Sequence, residues 1–190
     1  NKFAYINSIR LRKLDKKMVI YGYINHNPIN SVIPKNMKKI RNKALLKSNL
    51  QKCIRRGDID KALVTSANLI LIDLLSFLRR IIIISIEDVC VTNNIGLLVW
   101  LMIAYPNYEI TNEIIQYLLL TVYTLCTHNK KYIPEKDDIL DYDKINYNNT
   151  IINSLLIREE FGGMKGDMAL IRQIIKSKNT DIIRVKVGVL

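Results

Sequence analysis

Residues 69–86 read LILIDLLSFLRRIIIISI and form the longest apolar stretch of the 190-residue chain. Asp73, Arg79 and Arg80 interrupt this stretch, so it is too polar for a bilayer span, and we expect no membrane contact. Residues 77–91 are apolar almost all round, which predicts a central buried helix. The fold should therefore be built around this segment.

Helical signals surround the segment on both sides. Residues 48–51 (SNLQ) fit a capping box, Gly57 is placed to end a helix, and Asp58 to begin the next. Further helices are predicted over 95–105, 114–125, 151–160 and 168–176, the last capped by Asp167. We therefore predict an all-α fold, a compact multi-helix domain with short β-strands near the N- and C-termini.

The two strand candidates lie at opposite ends of the chain. Residues 18–24 (MVIYGYI) are β-like, and residues 183–189 (IRVKVGV) alternate strictly. We divide the chain into a basic N-terminal arm with a strand (1–33), a helical domain (34–180) and a C-terminal strand or tail (181–190). The strands could pair within one molecule, or each with another copy by strand exchange.

Charge is distributed unevenly. Residues 1–57 hold 15 Lys or Arg and one acid, a net of +14, whereas the remainder carries −2. Such an arm suits nucleic acid, an acidic protein surface or anionic lipid. The candidate assembly or nucleic-acid contacts are Arg10, Arg12, Lys13, Lys16, Lys17, Lys38, Lys39, Arg41 and Lys43. An acidic complement, which could meet the arm of another copy, consists of Glu135, Asp137, Asp138, Asp141 and Asp143.

Residues with the potential for catalysis or metal binding are sparse. His26 and His128 have no suitably spaced partners for a metal site. Ser, Thr and Cys residues lack the surroundings of a nucleophile. We predict no catalytic, cofactor or metal site. Cys53, Cys90 and Cys126 are most simply buried thiols, with an intermolecular disulfide as the alternative.

Two local features could carry charge chemistry. The segment 162–167 (GGMKGD) precedes a helix, an arrangement that suits an anion, but its spacing is not that of a phosphate-binding loop. We favour a structural turn, because glycines suit a tight connection and Asp167 would repel phosphate. Glu87 and Asp88 lie near Arg79 and Arg80, which predicts an ion-pair network between helices.

Two parts of the sequence resemble the C-terminal helical domain of MgsA/RarA-type proteins, which are clamp-loader-related AAA+ ATPases. The first part contains LQKCIRRGD (50–58), KAL (61–63), LRRI (78–81) and SIEDV (85–89). The second contains Ile157-Arg158 and FGGMKGD (161–167). The resemblance covers residues 40–175 and implies a helical, oligomer-forming domain associated with DNA maintenance, in a stand-alone viral version. The resemblance does not extend to the ATPase module, because no phosphate-binding loop is present.

Two functions follow from these patterns. The first is a non-enzymatic viral structural protein that assembles with itself into an ordered lattice, such as an occlusion-body matrix or a capsid-associated layer. The separated charges, the terminal strands and the odd cysteine count support it, and AT-rich codon usage (Ile, Asn, Lys and Tyr number 80 of 190 residues) hints at a viral source. The second is a DNA-binding accessory protein. Either would be intracellular, in the host cytoplasm or nucleus, with the virion or occlusion body as a further location.

Overall fold

The computed structural model describes residues 2–11, 16–25, 40–128, 142 and 145–187. A two-stranded hairpin precedes a set of helices. Its strands are β1 (Lys2–Leu11) and β2 (Lys16–Asn25). The helices are α1 (Lys43–Arg56), α2 (Ile59–Ile84), α3 (Ile95–Ala104), α4 (Asn112–Thr127), α5 (Thr150–Glu160) and α6 (Lys165–Val187). The described chain is predominantly helical, as predicted.

Helix α2 forms the centre of the core. It contacts α1, α3 and α4, while α5 joins α3 to α6. Its side chains Phe77, Leu78, Ile81 and Ile82 are 0% exposed, and burying each contributes about 1.5–3 kcal/mol. The predicted central buried helix is thus confirmed. In the described part of the chain, no helix is both long enough and apolar enough to cross a membrane.

Helix α2 is kinked at Asp73, whose backbone is non-helical (φ −160°, ψ 83°). The Asp73 carboxylate accepts hydrogen bonds from the backbone N–H and the hydroxyl of Ser76, both at 2.9 Å. Asp73 therefore caps the second arm of α2, which runs to Ile84 and continues into the π-helical turn Ser85–Val89. This second arm carries Arg79 and Arg80 on its surface.

The connection between α1 and α2 follows local capping rules. Gly57 ends α1 in the left-handed region (φ 69°), and the Asp58 side chain accepts from the backbone N–H of Lys61 at 3.3 Å. Both residues act as predicted. The capping box at 48–51 is wrong, because Asn42 caps α1 through the Leu45 N–H at 3.0 Å and the helix begins five residues before Ser48.

The chain ends differ from the sequence-based expectation. The segment 18–24 lies within β2, but its antiparallel partner is β1, which places Arg10 opposite Lys17. The hairpin contacts α3 and α5. At the other end, α6 continues through Val187, so the described part of the predicted strand, 183–187, is helical, while 188 and 189 lie outside the described residues. Extending an already packed helix requires no new nucleus, which favours helix over an unpaired strand.

Candidate anion-binding site

A cavity of about 470 Å³ lies between α1, α2 and the turn that joins α5 to α6. We call it the arginine cleft, because Arg79 and Arg80 of α2 and Arg158 of α5 line it. Lys47 of α1 adds a fourth cation, and Asp167 is the acidic residue among its described lining. The remaining lining residues are Ala44, Ser48, Gln51, Ser76, Gly163 and Met164.

Arg158 is the most deeply buried of these cations, with 2% of its surface exposed. Its Nη1 donates to the Gly162 carbonyl at 3.0 Å and its Nη2 to the Arg79 carbonyl at 3.4 Å, while its buried Nε has no hydrogen-bond partner. Burial, followed by the nearby charge of Arg79, lowers the pKa of Arg158 to about 10, against an opposing effect of Asp167. Burial at this position therefore makes the charged form of Arg158 less favourable than it is in water.

Arg79 is held by the same turn. Its Nη2 donates to the carbonyls of Gly162 at 3.0 Å and Phe161 at 3.5 Å. Gly162 has a positive φ of 68°, which a glycine adopts without strain, and its carbonyl thereby accepts from both Arg79 and Arg158. The turn between α5 and α6 thus fixes two guanidinium groups side by side.

Arg80 is positioned by α1. Its Nη2 donates to the Gln51 side-chain oxygen, and its buried Nε has no hydrogen-bond partner. The Gln51 amide nitrogen donates in turn to Glu87 at 2.9 Å and Asp88 at 2.7 Å. Gln51 therefore separates Arg80 from the two carboxylates and holds it with a neutral oxygen.

A second polar cluster, the acidic cluster, lies at the end of α2. Asp88 forms an ion pair with Arg55 of α1 at 2.7 Å, and only 7% of the Asp88 side chain is exposed. An ion pair between helices is present at Asp88, but the predicted partners are wrong: the cation is Arg55, whereas Arg79 and Arg80 form no ion pair with a described carboxylate. The charge of Asp88 is compensated by an ion pair, whereas the three arginines of the cleft form none with a carboxylate in the described part of the chain.

Helix α6 begins next to these arginines. Its first residue is Lys165, and the Met168 N–H bonds to the Met164 carbonyl at 3.1 Å. The predicted cap at Asp167 is wrong, because Asp167 lies inside the first turn. The backbone N–H groups of a first helical turn lack acceptors within the helix and carry a partial positive charge. The glycine turn is thus structural, and it also faces a cation-lined cavity.

The candidate contact residues of the basic arm are spread over different environments. Arg41 is exposed just before α1, and Lys43 forms an ion pair with Asp73 at 2.7 Å. The backbone of β1 and β2 carries Arg10, Lys16 and Lys17. Outside the described residues lie Arg12, Lys13, Lys38 and Lys39, together with the whole acidic complement, Glu135, Asp137, Asp138, Asp141 and Asp143.

The three cysteines are free thiols. Cys53 is buried, and Cys90 and Cys126 are partly buried. Burial raises the pKa of all three thiols, to about 11 for Cys126. Since the thiolate is the reactive form, this environment disfavours exchange reactions. The intermolecular disulfide stays a prediction, and Cys90 and Cys126 are the thiols with surface access.

The arginine cleft was not identified from the sequence. Its two halves are far apart in the chain: the Arg158–Arg79 hydrogen bond spans 79 residues. One signal was available, namely that Arg79, Arg80 and Arg158 lie in or beside apolar helices without an acid in the adjoining turn, except for Glu159 and Glu160 beside Arg158. Glu159 bonds to Arg172 at 2.7 Å and so belongs to a different pair.

The arrangement can bind an anion, since three guanidinium groups and Lys47 face a single described carboxylate, Asp167. Among the described residues, no group of three or more His, Cys, Asp or Glu side chains is placed to hold a metal ion. Comparison of the chain with protein-family models, curated proteins and solved structures finds no match.

Proposed function

We propose that the chain is a non-enzymatic nucleic-acid-binding protein that contacts phosphate through the arginine cleft. One observation carries the proposal: Arg79, Arg80 and Arg158 are each held by neutral oxygen atoms, and none pairs with a described carboxylate. Three preorganised and uncompensated guanidinium groups are suited to charged, hydrogen-bond-accepting oxygens such as those of phosphate.

The surroundings of the cleft favour a polyanion as the source of that phosphate. Helix α1 contains five basic residues and no acid. Lys47 lies on the cleft wall, while Lys52 and Arg56 are exposed further along the helix. Several cations on one helix can release several counterions when they meet a nucleic-acid backbone. The resemblance to a DNA-maintenance domain, which stays a prediction, points the same way.

Self-assembly into a viral lattice also stays a prediction. Its sequence support included two strands without partners, but β2 has an intrachain partner in β1 and residues 183–187 continue a helix. The acidic complement lies outside the described residues, so the structure does not test its part in self-assembly. Light scattering at micromolar concentration tests this alternative, and a salt-insensitive monomer would count against it.

The proposal is tested by fluorescence anisotropy with labelled single-stranded and duplex DNA at about 50 mM and about 200 mM salt. We expect binding at low salt that weakens steeply at high salt. Lys47→Gln should weaken binding to all sequences and lower the salt slope by about one, because it removes one phosphate contact. The absence of binding to either DNA at low salt would overturn the proposal.

Lys61→Gln is the matched control. It removes one positive charge from α2, where Lys61 pairs with Asp58 at 2.7 Å on an exposed surface and does not line the cleft. We expect its affinity and salt slope to stay close to those of the wild type. An equal loss in both variants would show that binding depends on net charge and not on the cleft.

A further inference from the structure

Resting on the proposed function, we infer that the arginine cleft takes a terminal phosphomonoester, such as the phosphate at the end of a nucleic-acid strand, in preference to the diesters within it. The inference depends on the shape of the cleft, on its charge and on the depth of Arg158. Each of these three features favours a terminal phosphate over a phosphate diester within the strand.

The shape favours a ligand that enters the protein. The cavity of about 470 Å³ has the volume of a small-molecule pocket, and it is open to solvent on one side. Arg158 lines it but is 2% exposed, so a group that contacts Arg158 must project inward. A diester phosphate is flanked by sugars on both sides, whereas a terminal phosphate projects from the chain.

The charge favours a dianion. The four cations of the cleft, Lys47, Arg79, Arg80 and Arg158, face one acid, Asp167, which leaves a local net charge of +3. A diester supplies one negative charge, whereas a monoester carries about 1.5–2 at pH 7 and three terminal oxygens. The larger charge compensates the burial of Arg158 more fully.

The unfilled donors favour the same group. The Nε atoms of Arg80 and Arg158 are buried and have no hydrogen-bond partner among the described residues. The first-turn N–H groups of α6, next to the cleft, are further donors. A terminal phosphate can accept several of these bonds together, because its three oxygens have acceptor sites on all sides.

The experiment compares oligonucleotides of one sequence that carry either a 5′-phosphate, a 3′-phosphate or hydroxyl groups at both ends. We expect a phosphorylated end to bind about tenfold or more tightly than the hydroxyl form, the effect of one or more charge-assisted hydrogen bonds. This advantage should grow between pH 5 and pH 7, as the monoester loses its second proton near pH 6. A nucleoside monophosphate and inorganic phosphate serve as competitors.

Two variants separate recognition from folding. Arg80→Gln should abolish the advantage of the phosphorylated end, while Asp167→Asn should increase it several-fold, because it removes a like charge from the cleft. A gain of affinity cannot come from misfolding. Lys61→Gln again controls for net charge.

The outcomes distinguish the two proposals. Equal binding of phosphorylated and hydroxyl ends would overturn this inference and leave nucleic-acid binding intact. Binding of no oligonucleotide, nucleotide or phosphate at low salt would remove both. If the nucleoside monophosphate binds as tightly as the phosphorylated strand, the monoester site is supported and its source is a free nucleotide.

Discussion

The acidic cluster in the π-helical turn Ser85–Val89 and the arginine cleft beside α2 treat buried charge in opposite ways. Asp88 accepts hydrogen bonds from Arg55 Nε at 2.8 Å and from Gln51 at 2.7 Å, so its charge is satisfied by α1. Arg158 is more deeply buried, and among the described residues it is held by backbone carbonyls alone. A compensated charge joins helices, whereas an uncompensated one is available to a ligand.

The largest effect on stability is expected in the acidic cluster, where Asp88 is paired with Arg55. Asp88→Asn turns an amide N–H toward the donors of Arg55 and Gln51 and removes the ion pair. Breaking a buried pair costs several kcal/mol, but Arg55 is 49% exposed and can regain water, so we expect a loss of about 2–3 kcal/mol in unfolding free energy. Urea denaturation measures it.

Glu87→Gln is the control for Asp88→Asn. Glu87 is exposed and accepts one hydrogen bond from Gln51, so the same change of carboxylate to amide should cost well under about 1 kcal/mol. Equal losses in the two variants would remove the distinction between a compensated buried acid and its solvated neighbour.

A smaller effect is expected at Asp73, which is intermediate between the two regions with 24% of its side chain exposed. Burial alone would raise its pKa, but hydrogen bonds from Lys43 and Ser76 hold the pKa of Asp73 below its usual value. A carboxyl with a depressed folded-state pKa stabilises the fold above the unfolded value, near pH 4, and this contribution is lost as the pH falls through the folded pKa.

Asp73→Asn isolates that contribution. Asparagine can still cap the second arm of α2, so the variant loses the charge and keeps the cap. Denaturation at pH 7 and at pH 3 should show a wild-type advantage of less than about 1 kcal/mol at pH 7 that shrinks at pH 3. An advantage that is unchanged at pH 3 would mean that the ion pair with Lys43 is not its source.

Gly162→Ala tests the turn that holds two of the arginines. No atom lies within 4 Å of an added Cβ, so the change introduces no clash, but φ 68° is strained for alanine by about 1 kcal/mol. We expect a loss of that size in unfolding free energy, together with weaker anion binding as the shared carbonyl shifts. Gly166→Ala, also free of close neighbours and within α6, is the control; it should raise the unfolding free energy by up to about 1 kcal/mol and leave anion binding nearly unchanged.

The sequence predicted what local chemistry determines. Gly57 and Asp58 act on residues within four positions of themselves, so their roles could be derived from the pattern alone. The central buried helix could also be predicted from the sequence, because a segment that is apolar almost all round is stable only in the core. The pattern at 183–187 was misleading, since alternation of apolar and basic residues does not show whether a packed helix upstream will continue into it.

The arginine cleft could not be derived in the same way. Arg79 and Arg158 meet only when α5 folds against α2, and the compensation of a charge is a property of three-dimensional neighbours. Sequence proximity suggested that Glu87 and Asp88 would pair with Arg79 and Arg80, yet Arg55 takes Asp88 and Gln51 intervenes at Arg80. The cleft was therefore missed because the sequence suggested ion pairs of Arg79 and Arg80 with Glu87 and Asp88, which the fold does not form.

The smallest effect on stability, and the sharpest test of the comparison, is expected at Arg158. Arg158→Met keeps an unbranched chain of similar length and removes a desolvated charge. The hydrogen bonds to Gly162 and Arg79 are lost, but so is the cost of burying a cation without a carboxylate, and we expect the unfolding free energy to change by less than about 1 kcal/mol. Anion binding should disappear in the same variant.

Arg158→Lys completes this test, because it retains the buried charge and loses the planar fork that bonds two carbonyls at once. It should therefore be less stable than Arg158→Met, although it is chemically closer to the wild type. The reverse order would mean that the charge itself stabilises the fold, and the arginine cleft would then be a structural cluster like that of Asp88. Urea denaturation and phosphate binding on the same samples decide between a ligand site and a structural cluster. Only at a ligand site should a substitution abolish phosphate binding and leave the unfolding free energy nearly unchanged.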